Sequence, residues 1–223
     1  MSTKQEWNSA GKFAQVASQW DEHPLRRTIA QQVADAIIEQ VQPTRQMRAL
    51  EFGCGTGLVS MAIAPLVGHL VALDTSAEML EVLQEKISAQ HLSGIETHTG
   101  KLESYDGQEN VAPEGFELIY ASMTLHHIHD TAAFLQHAVG RLAPGGILAL
   151  ADLDLEDGTF HPDPDEEVHP GFDRDALTRL LEAAGLEQVR FTTVYTVEKP
   201  AATGGGMASY SIFLVTAINP ARR

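Results

Sequence analysis

The fold is decided by the stretch Ala49-Leu50-Glu51-Phe52-Gly53-Cys54-Gly55-Thr56-Gly57, in which apolar residues lead into a glycine-rich turn. The apolar segment 58–66 that follows predicts a helix. A strand, a glycine turn and a helix in this order present backbone N–H groups to a ligand at the carboxyl end of the strand. The stretch therefore predicts a site for a nucleoside-bearing ligand in an α/β protein.

The rest of the chain alternates between strand and helix patterns. Strands are predicted at 47–52, 69–73, 95–97, 116–121, 147–153, 186–197 and 210–218. Helices are predicted at 27–41, at 58–66, after a cap at Thr75 or Ser76, at 130–142 and after a cap at Asp173. Because a helix supplies the crossover between parallel strands, this order predicts a doubly wound, mostly parallel α/β sheet of seven strands. A loop with Gly204-Gly205-Gly206 joins the last two strands, so the seventh is expected to be antiparallel.

The composition narrows the classes of function. The 223 residues include 15 Lys and Arg against 30 Asp and Glu, which gives a formal net charge of -15 at pH 7. This charge repels nucleic acid and anionic membrane surfaces, and no segment approaches the ~20 apolar residues that span a bilayer. We therefore expect a cytoplasmic protein that binds neither. The single cysteine, Cys54, cannot form an internal disulfide or a multi-thiolate metal site.

The spacing of the glycine turn excludes two classes of nucleotide site. A dinucleotide fingerprint needs a third glycine where this chain has Leu58 or Ser60, and a phosphate loop needs a Gly-Lys-Ser/Thr that is absent. Glu51, just before the turn, opposes a pyrophosphate and suits an ammonium group. Asp74, at the end of the second strand, can accept hydrogen bonds from two ribose hydroxyls. An amine and a ribose without phosphate indicate S-adenosylmethionine.

Five successive motifs resemble those of class I S-adenosylmethionine-dependent methyltransferases. They are 50–57 around the glycine turn, Leu73-Asp74-Thr75-Ser76 with Met79-Leu80, the strand 116–121, Leu125-His126-His127-Ile128, and Leu142-Ala143-Pro144-Gly145-Gly146. The resemblance covers residues 45–155, in the family's order and spacing, and implies the Rossmann-like methyltransferase fold. It also implies S-adenosyl-L-methionine as cofactor and methyl transfer as the activity.

The resemblance implies a role for each matching residue. Gly53, Cys54, Gly55 and Gly57 would lie beside the methionine moiety, which Ala121 would also line. Glu51 would hold its amino group through the turn, Asp74 the ribose, and Thr75 and Met79 would flank the adenosine. Trp20 is a further candidate for lining the cofactor pocket, although core packing explains this residue equally well.

One position departs from the family pattern. The family often has an acidic residue after the third strand that bonds the adenine amino group, whereas this chain has Gly100-Lys101-Leu102-Glu103. A lysine side chain cannot accept that bond. Either the main chain at Lys101 and Leu102 holds the adenine edge, which we favour, or Glu103 substitutes.

The chain is expected to be one domain in three parts. Residues 1–42 would form a helical segment that either closes the site as a lid or packs against the core. Residues 43–155 would bind the cofactor. Residues 156–223 would add a loop, a helix and the antiparallel strand pair on the substrate side. The acidic, proline-containing segment 154–170 exceeds an ordinary connection and is expected to be functional or disordered.

Histidines are the candidate catalytic groups. A base is needed only if the acceptor loses a proton during methyl transfer. His126 and His127 follow the fourth strand at the rim of the site and could serve as base or be bonded structurally. His169, in the acidic segment, is a further candidate. A metal site in that segment, with His161, is conceivable, but no ligand spacing supports it and we expect none.

The acceptor is inferred by exclusion. The chain lacks the Pro-Pro motif of amino-directed DNA methyltransferases, the proline-cysteine nucleophile of cytosine enzymes and the several cysteines of arsenite methyltransferases. A small molecule with an O, N or C nucleophile is therefore expected, acted on by a monomer or homodimer. The alternatives are a non-catalytic S-adenosylmethionine or S-adenosylhomocysteine binder and, with less support, a nicotinamide oxidoreductase.

Overall fold

The protein is described from a computed structural model that covers residues 10–107, 112–161, 166–200 and 206–221. Some predictions fall outside these ranges. They concern residues 1–9 of the N-terminal segment, residues 162–165 of the acidic segment, and Gly204 and Gly205 of the last loop.

Seven strands form one sheet. They are β1 (Arg48–Phe52), β2 (His69–Asp74), β3 (Ile95–Thr99), β4 (Phe116–Ser122), β5 (Leu142–Leu153), β6 (Glu187–Pro200) and β7 (Met207–Ile218). Their order is β3-β2-β1-β4-β5-β7-β6, and β7 runs antiparallel to both of its neighbours. The predicted doubly wound sheet with an antiparallel last strand is therefore confirmed.

Six α-helices lie in the described ranges, two of them before β1. They are α1 (Ala10–Val16), α2 (Pro24–Val41), α3 (Ser60–Ile63), α4 (Ala77–Ala89), α5 (Thr131–Val139) and α6 (Arg174–Ala183). The caps follow the sequence, because the side chains of Ser76, Asp130 and Asp173 each accept a hydrogen bond from the backbone N–H three residues later.

Two predicted helices are longer than the observed ones. The helix after the glycine turn comprises only α3 and then a 3-10 turn, Ala64–Leu66, because Pro65 lacks the N–H that would continue an α-helix. The helix predicted at 130–142 ends at Val139. Pro144 and its two glycines lie within β5 instead of before it, where the register shifts against β4 and a bulge accommodates the proline.

The two faces of the sheet carry separate cores. The helices α2 and α3 cover one face, and α5 and α6 cover the other. Because both faces are buried, β2 is buried at every position after His69, which explains its unbroken apolar sequence. The carboxyl ends of β1, β2, β4, β5 and β6 meet at one edge of the sheet, where α/β proteins bind ligands. Within the described ranges, no helix combines the length and apolar character needed to cross a bilayer.

Candidate active site

A cleft of about 1240 Å³ runs along this carboxyl edge. Its walls include the glycine turn after β1, residues of α1, the 3-10 turn Ala17–Glu22 and the start of α2. Most of the predicted site residues line it, namely Trp20, Glu51, Gly53, Cys54, Gly55, Asp74, Thr75, Met79, Lys101, Leu102, His126 and His127. The structure thus brings the predicted cofactor residues and two of the predicted bases to one cavity.

The three glycines of the turn have different neighbours. Their φ angles are all positive, at 61° for Gly53, 53° for Gly55 and 79° for Gly57. A Cβ atom on Gly53 would lie 2.2 Å from Cγ2 of Thr124, and one on Gly57 would lie 2.3 Å from Cδ1 of Leu83. A Cβ on Gly55 would meet no atom within 4 Å. Gly57 therefore allows the turn to pack against α4, whereas Gly55 leaves space beside its main chain.

Glu51 is buried at the end of β1, behind the turn. Its carboxylate accepts hydrogen bonds from Ser60 Oγ and, at 3.1 Å, from the Tyr120 hydroxyl. Burial raises the pKa of Glu51 to about 8, and the hydrogen bonds from Ser60 and Tyr120 only partly oppose this shift. An ammonium group bound nearby would favour the ionised carboxylate, so Glu51 fits a cationic ligand.

Asp74 ends β2 and is 8% exposed. Its Oδ2 accepts the Gly55 N–H at 2.7 Å, and its Oδ1 accepts the Ser76 N–H at 2.8 Å. Burial raises the pKa of Asp74, and these backbone hydrogen bonds oppose the shift. Each oxygen retains acceptor capacity toward the cleft. The pair of oxygens suits two neighbouring hydroxyl groups, as on a ribose.

The far side of the cleft, beyond Asp74, contains Lys101 and Leu102, whose main chain we favoured for the adenine edge. The Lys101 carbonyl accepts hydrogen bonds from Ser104, at 3.2 Å from its N–H and 3.1 Å from its Oγ. Two bonds occupy both lone pairs of that oxygen, which leaves little capacity for an adenine amino group. Glu103 also lines the cleft. The main chain at Leu102 and the Glu103 carboxylate are therefore the groups left to hold the adenine edge.

The N-terminal segment is tied directly to the glycine turn. Asp21 accepts a hydrogen bond from Thr56 Oγ1 at 2.5 Å and forms an ion pair with Lys86 of α4. Lys86 also donates to the Thr56 carbonyl at 2.7 Å. Trp20, next to Asp21, packs edge to face against Phe13 at 5.6 Å. These contacts place two aromatic rings of the N-terminal segment beside the cleft.

Arg26, which the sequence reasoning missed, lines the cleft at the start of α2. Its guanidinium carbon lies 3.7 Å from the centroid of the Trp20 ring. Burial lowers the pKa of Arg26, and no carboxylate of the described residues forms an ion pair with it. A partly buried cation without a counterion favours an anionic ligand group. In the sequence Arg26 is one of two adjacent arginines, and only the tertiary structure distinguishes it from Arg27.

His126 and Asp152 form a buried pair below the cleft. The Nδ1 atom of His126 lies 2.7 Å from Asp152 Oδ1, and the His126 backbone N–H donates to Asp152 Oδ2 at 3.1 Å. The side chains are 2% and 0% exposed. Because the carboxylate keeps the imidazole hydrogen on Nδ1, Nε2 is left as the proton acceptor. No protein group of the described residues bonds to Nε2, so the pair has the form of a general base.

His127 has a different environment. Its ring packs against Phe13 at 5.3 Å and His126 at 4.1 Å. Burial lowers the pKa of His127 to about 2, with further lowering by nearby cationic groups. The ring is therefore neutral at physiological pH. Its position indicates packing between the N-terminal segment and His126.

Three predicted residues lie away from the cleft lining. The His169 ring donates from Nε2 to the Ile128 carbonyl at 2.9 Å, and its backbone N–H donates to the His126 carbonyl at 2.8 Å. Ala121 is buried within β4 in the sheet core, and Gly57 packs against Leu83. His169 therefore supports the segment that carries His126 and does not itself face the cleft.

Comparison with known proteins assigns this arrangement to a family. A family described as a methyltransferase domain matches residues 24–190, more than half of the chain. An uncharacterized methyltransferase of Schizosaccharomyces pombe is 31% identical over 152 residues, covering 63% of this chain and 53% of that protein. A ubiquinone biosynthesis O-methyltransferase of Parvibaculum lavamentivorans is 31% identical over 153 residues, covering 66% of this chain and 56% of that protein. The chain thus spans about half the length of these relatives.

A solved structure shows the same fold. Haemonchus contortus phosphoethanolamine N-methyltransferase 2 in complex with S-adenosyl-L-methionine superposes with a TM-score of 0.69 at 13% identity, covering 93% of this chain and 60% of that chain. The Rossmann-like methyltransferase fold is therefore confirmed. The family match agrees with the motifs that resemble class I enzymes. The chain belongs to the S-adenosylmethionine-dependent methyltransferase domain family.

Proposed function

We propose that the protein is an enzyme that transfers the methyl group of S-adenosylmethionine to a nucleophilic atom of a small molecule. One observation carries the proposal: a single cleft contains both the Asp74 carboxylate beside the glycine turn and the His126–Asp152 pair. The first feature suits a ribose and the second suits proton removal from an acceptor. A protein that only bound the cofactor would have no need of the second feature.

The residues present fit the cofactor. Asp74 would accept the two ribose hydroxyls, while the space beside Gly55 would admit the methionine moiety. Arg26 would bind the α-carboxylate of that moiety, and Glu51 would stabilise its ammonium group through the turn. This assignment provides each charged group of the methionine moiety with a residue of opposite charge. Leu102 and Met79 would cover the adenine, and Glu103 would accept a bond from its amino group.

The cofactor supplies an electrophilic methyl group, and the chain supplies position and proton transfer. Asp74, Glu51 and Arg26 would fix the cofactor so that the reacting atoms meet in line, which is a large part of catalysis for such a displacement. His126 would accept the proton of the acceptor at Nε2. Asp152 would stabilise the resulting imidazolium and keep its ring oriented. The N-terminal segment, tied to Thr56 through Asp21, would act as a lid that excludes water.

The relatives support an oxygen acceptor. The Parvibaculum lavamentivorans protein is named as an O-methyltransferase, and a buried histidine base is most useful for an acceptor whose hydroxyl must lose a proton. We also propose that the protein works in the cytoplasm, as a monomer or homodimer, as a single domain with a lid, a cofactor-binding half and a substrate-side half. The formal charge of -15 supports a small molecule over nucleic acid as acceptor.

Calorimetry with S-adenosylmethionine, S-adenosylhomocysteine and NADH tests the cofactor. We expect binding of both sulfur ligands and none of NADH, and absence of binding by either sulfur ligand would overturn the proposal. Incubation of the protein with methyl-labelled cofactor and cell extract tests the transfer. A chain that binds S-adenosylhomocysteine tightly and labels no compound would instead be a non-catalytic binder.

A further inference from the structure

A second histidine and carboxylate pair stands beside the first. His161, in the segment between β5 and α6, has its Nδ1 atom 3.3 Å from Glu166 Oε2. Both residues line the cleft. The His161 ring centroid lies 5.0 Å from that of His126. Two imidazole rings, each with a carboxylate on Nδ1, therefore form adjacent parts of one wall.

The unpaired nitrogen of this second pair needs a partner. The Nε2 atom of His161 is buried and has no hydrogen-bond partner among the described residues. Burial lowers the pKa of His161, so the ring is neutral near neutral pH. With its hydrogen held on Nδ1 by Glu166, Nε2 is an acceptor, as it is in His126. Buried polar atoms are nearly always paired, so a ligand donor is the natural partner for this nitrogen.

The surroundings of the two rings are apolar. Phe160 packs against His161 at 5.1 Å and against Tyr210 at 5.3 Å. Met123 lines the cleft after β4 with a φ of 54°, a conformation that side-chain-bearing residues rarely adopt and that functional sites often hold under strain. Leu25 of α2 adds to the same lining. The acceptor that fits here has an apolar body.

A cation lies beside the same aromatic side chain. Lys199, at the end of β6, lies with Nζ 3.6 Å from the Phe160 ring centroid and donates to the Phe160 carbonyl at 3.0 Å. A lysine near the rings disfavours a cationic amine and is compatible with an oxygen that becomes negatively charged.

We propose that the acceptor is an aromatic compound with two hydroxyl groups on adjacent carbons, a catechol, with one hydroxyl on His126 Nε2 and the other on His161 Nε2. This proposal rests on the proposed methyl transfer and names its substrate class. Two neighbouring hydroxyl donors match the acceptor nitrogens of two adjacent imidazole rings, and the ring of a catechol suits the apolar lining. A single phenol would leave the His161 nitrogen unpaired.

The step balances within this arrangement. The first hydroxyl gives its proton to His126 Nε2 while an oxygen electron pair forms the new bond to the methyl carbon. The carbon–sulfur bond breaks, and its electron pair stays on sulfur, which leaves as the thioether of S-adenosylhomocysteine. The His126 proton then passes to solvent. The second hydroxyl keeps its proton and its bond to His161, so His161 is a positioning residue for the acceptor.

Binding of catechol, resorcinol and phenol to the protein saturated with S-adenosylhomocysteine tests the proposal. These probes differ only in the number and spacing of their hydroxyl groups. We expect catechol to bind roughly tenfold more tightly than the other two, as one additional hydrogen bond allows. His161→Ala should reduce this preference to near one without weakening phenol, and His161→Gln, which restores an acceptor oxygen, should recover part of it.

His98→Gln is the matched control, because His98 pairs with Glu96 on β3, away from the cleft. This variant should retain the wild-type preference. Catechol that binds no better than phenol and resorcinol, or a preference that survives His161→Ala, would overturn the inference while leaving the proposed function intact. Failure of the wild-type protein to bind S-adenosylhomocysteine would overturn the proposed function, and this inference with it.

Discussion

The two ends of the cleft are built in different ways. The centre of the cofactor end is built from main-chain groups, since Gly55 and Ser76 bind Asp74 through backbone N–H groups where β1 and β2 end side by side. The acceptor end consists of side chains from distant segments, such as His126 after β4, Asp152 in β5 and His161 in the following segment. The glycine turn and the strand end at Asp74 follow from local pattern, whereas the pairing of side chains at the acceptor end follows only from tertiary structure.

This difference separates binding from chemistry in the proposed enzyme. A change at the cofactor end should alter the affinity for S-adenosylhomocysteine. A change at the acceptor end should alter turnover or acceptor preference with little effect on that affinity. Variants at each end, measured for both properties, show whether the two ends act separately.

The largest effect is expected at the acceptor end. His126→Ala should lower kcat by roughly a hundredfold to ten-thousandfold, the usual contribution of a general base. Asp152→Asn should lower kcat in the same direction, because it removes the carboxylate that orients the His126 ring. Both variants should bind S-adenosylhomocysteine as the wild-type protein does. Label transfer measures kcat, and calorimetry measures the affinity.

His169→Gln is the comparison for this experiment, because the His169 ring bonds the Ile128 carbonyl and does not line the cleft. We expect a change in kcat far smaller than that of His126→Ala. Full activity of His126→Ala would contradict the assigned role and would mean that the acceptor loses its proton before it binds.

The next effect belongs to the cofactor end. Asp74→Ala should weaken S-adenosylhomocysteine binding about a hundredfold, as expected for loss of a charged hydrogen-bonding partner. The same change removes the acceptor of the Gly55 and Ser76 N–H groups, so thermal melting must show that the variant is folded. Unchanged affinity in a folded variant would show that the ribose lies elsewhere.

The sequence predicted the cofactor end better than the acceptor end. The glycine turn, the strand end at Asp74 and the order of the sheet follow from local pattern, because turn geometry and crossover rules act over short stretches. The pairing of Asp152 with His126 was not predicted, since it depends on how two side chains are oriented in the folded protein. Arg26 was missed for the same reason.

Two other predictions show where local pattern is insufficient. His169 lies in the acidic segment near candidate bases in sequence, yet the segment places its ring on the Ile128 carbonyl. The Lys101 carbonyl, one group of the main chain that we favoured for the adenine edge, accepts two hydrogen bonds from Ser104. Side-chain orientation in irregular segments depends on contacts with other elements, which composition and spacing do not specify.

Arg26 and Arg27 form a matched pair for a smaller effect at the cofactor end. Arg26→Ala should weaken S-adenosylhomocysteine binding roughly tenfold, the scale of one lost charged hydrogen bond. Arg27, which is exposed and does not line the cleft, should tolerate the same change. Binding of methylthioadenosine, which lacks the amino-acid moiety, should be equal in all three proteins. An Arg26→Ala variant that loses affinity for both ligands would instead indicate a packing role through Trp20.

The smallest effect is a proton linkage at Glu51. Burial raises its pKa to about 8, so Glu51 is mostly protonated in the free protein at pH 7. An ammonium group bound nearby favours the ionised form and lowers that pKa, so cofactor binding should release a fraction of a proton. Affinity should therefore rise with pH and level off above about 8. The rise is at most about tenfold per pH unit, because at most one proton is released.

Calorimetry in two buffers with different ionisation enthalpies measures the released fraction. The amine of the ligand also titrates in this range, but Glu51→Gln retains that contribution, so the difference between the two proteins isolates Glu51. Equal proton release by wild-type protein and Glu51→Gln would show that Glu51 keeps its proton in the complex and acts at the cofactor end only through its bonds to Ser60 and Tyr120.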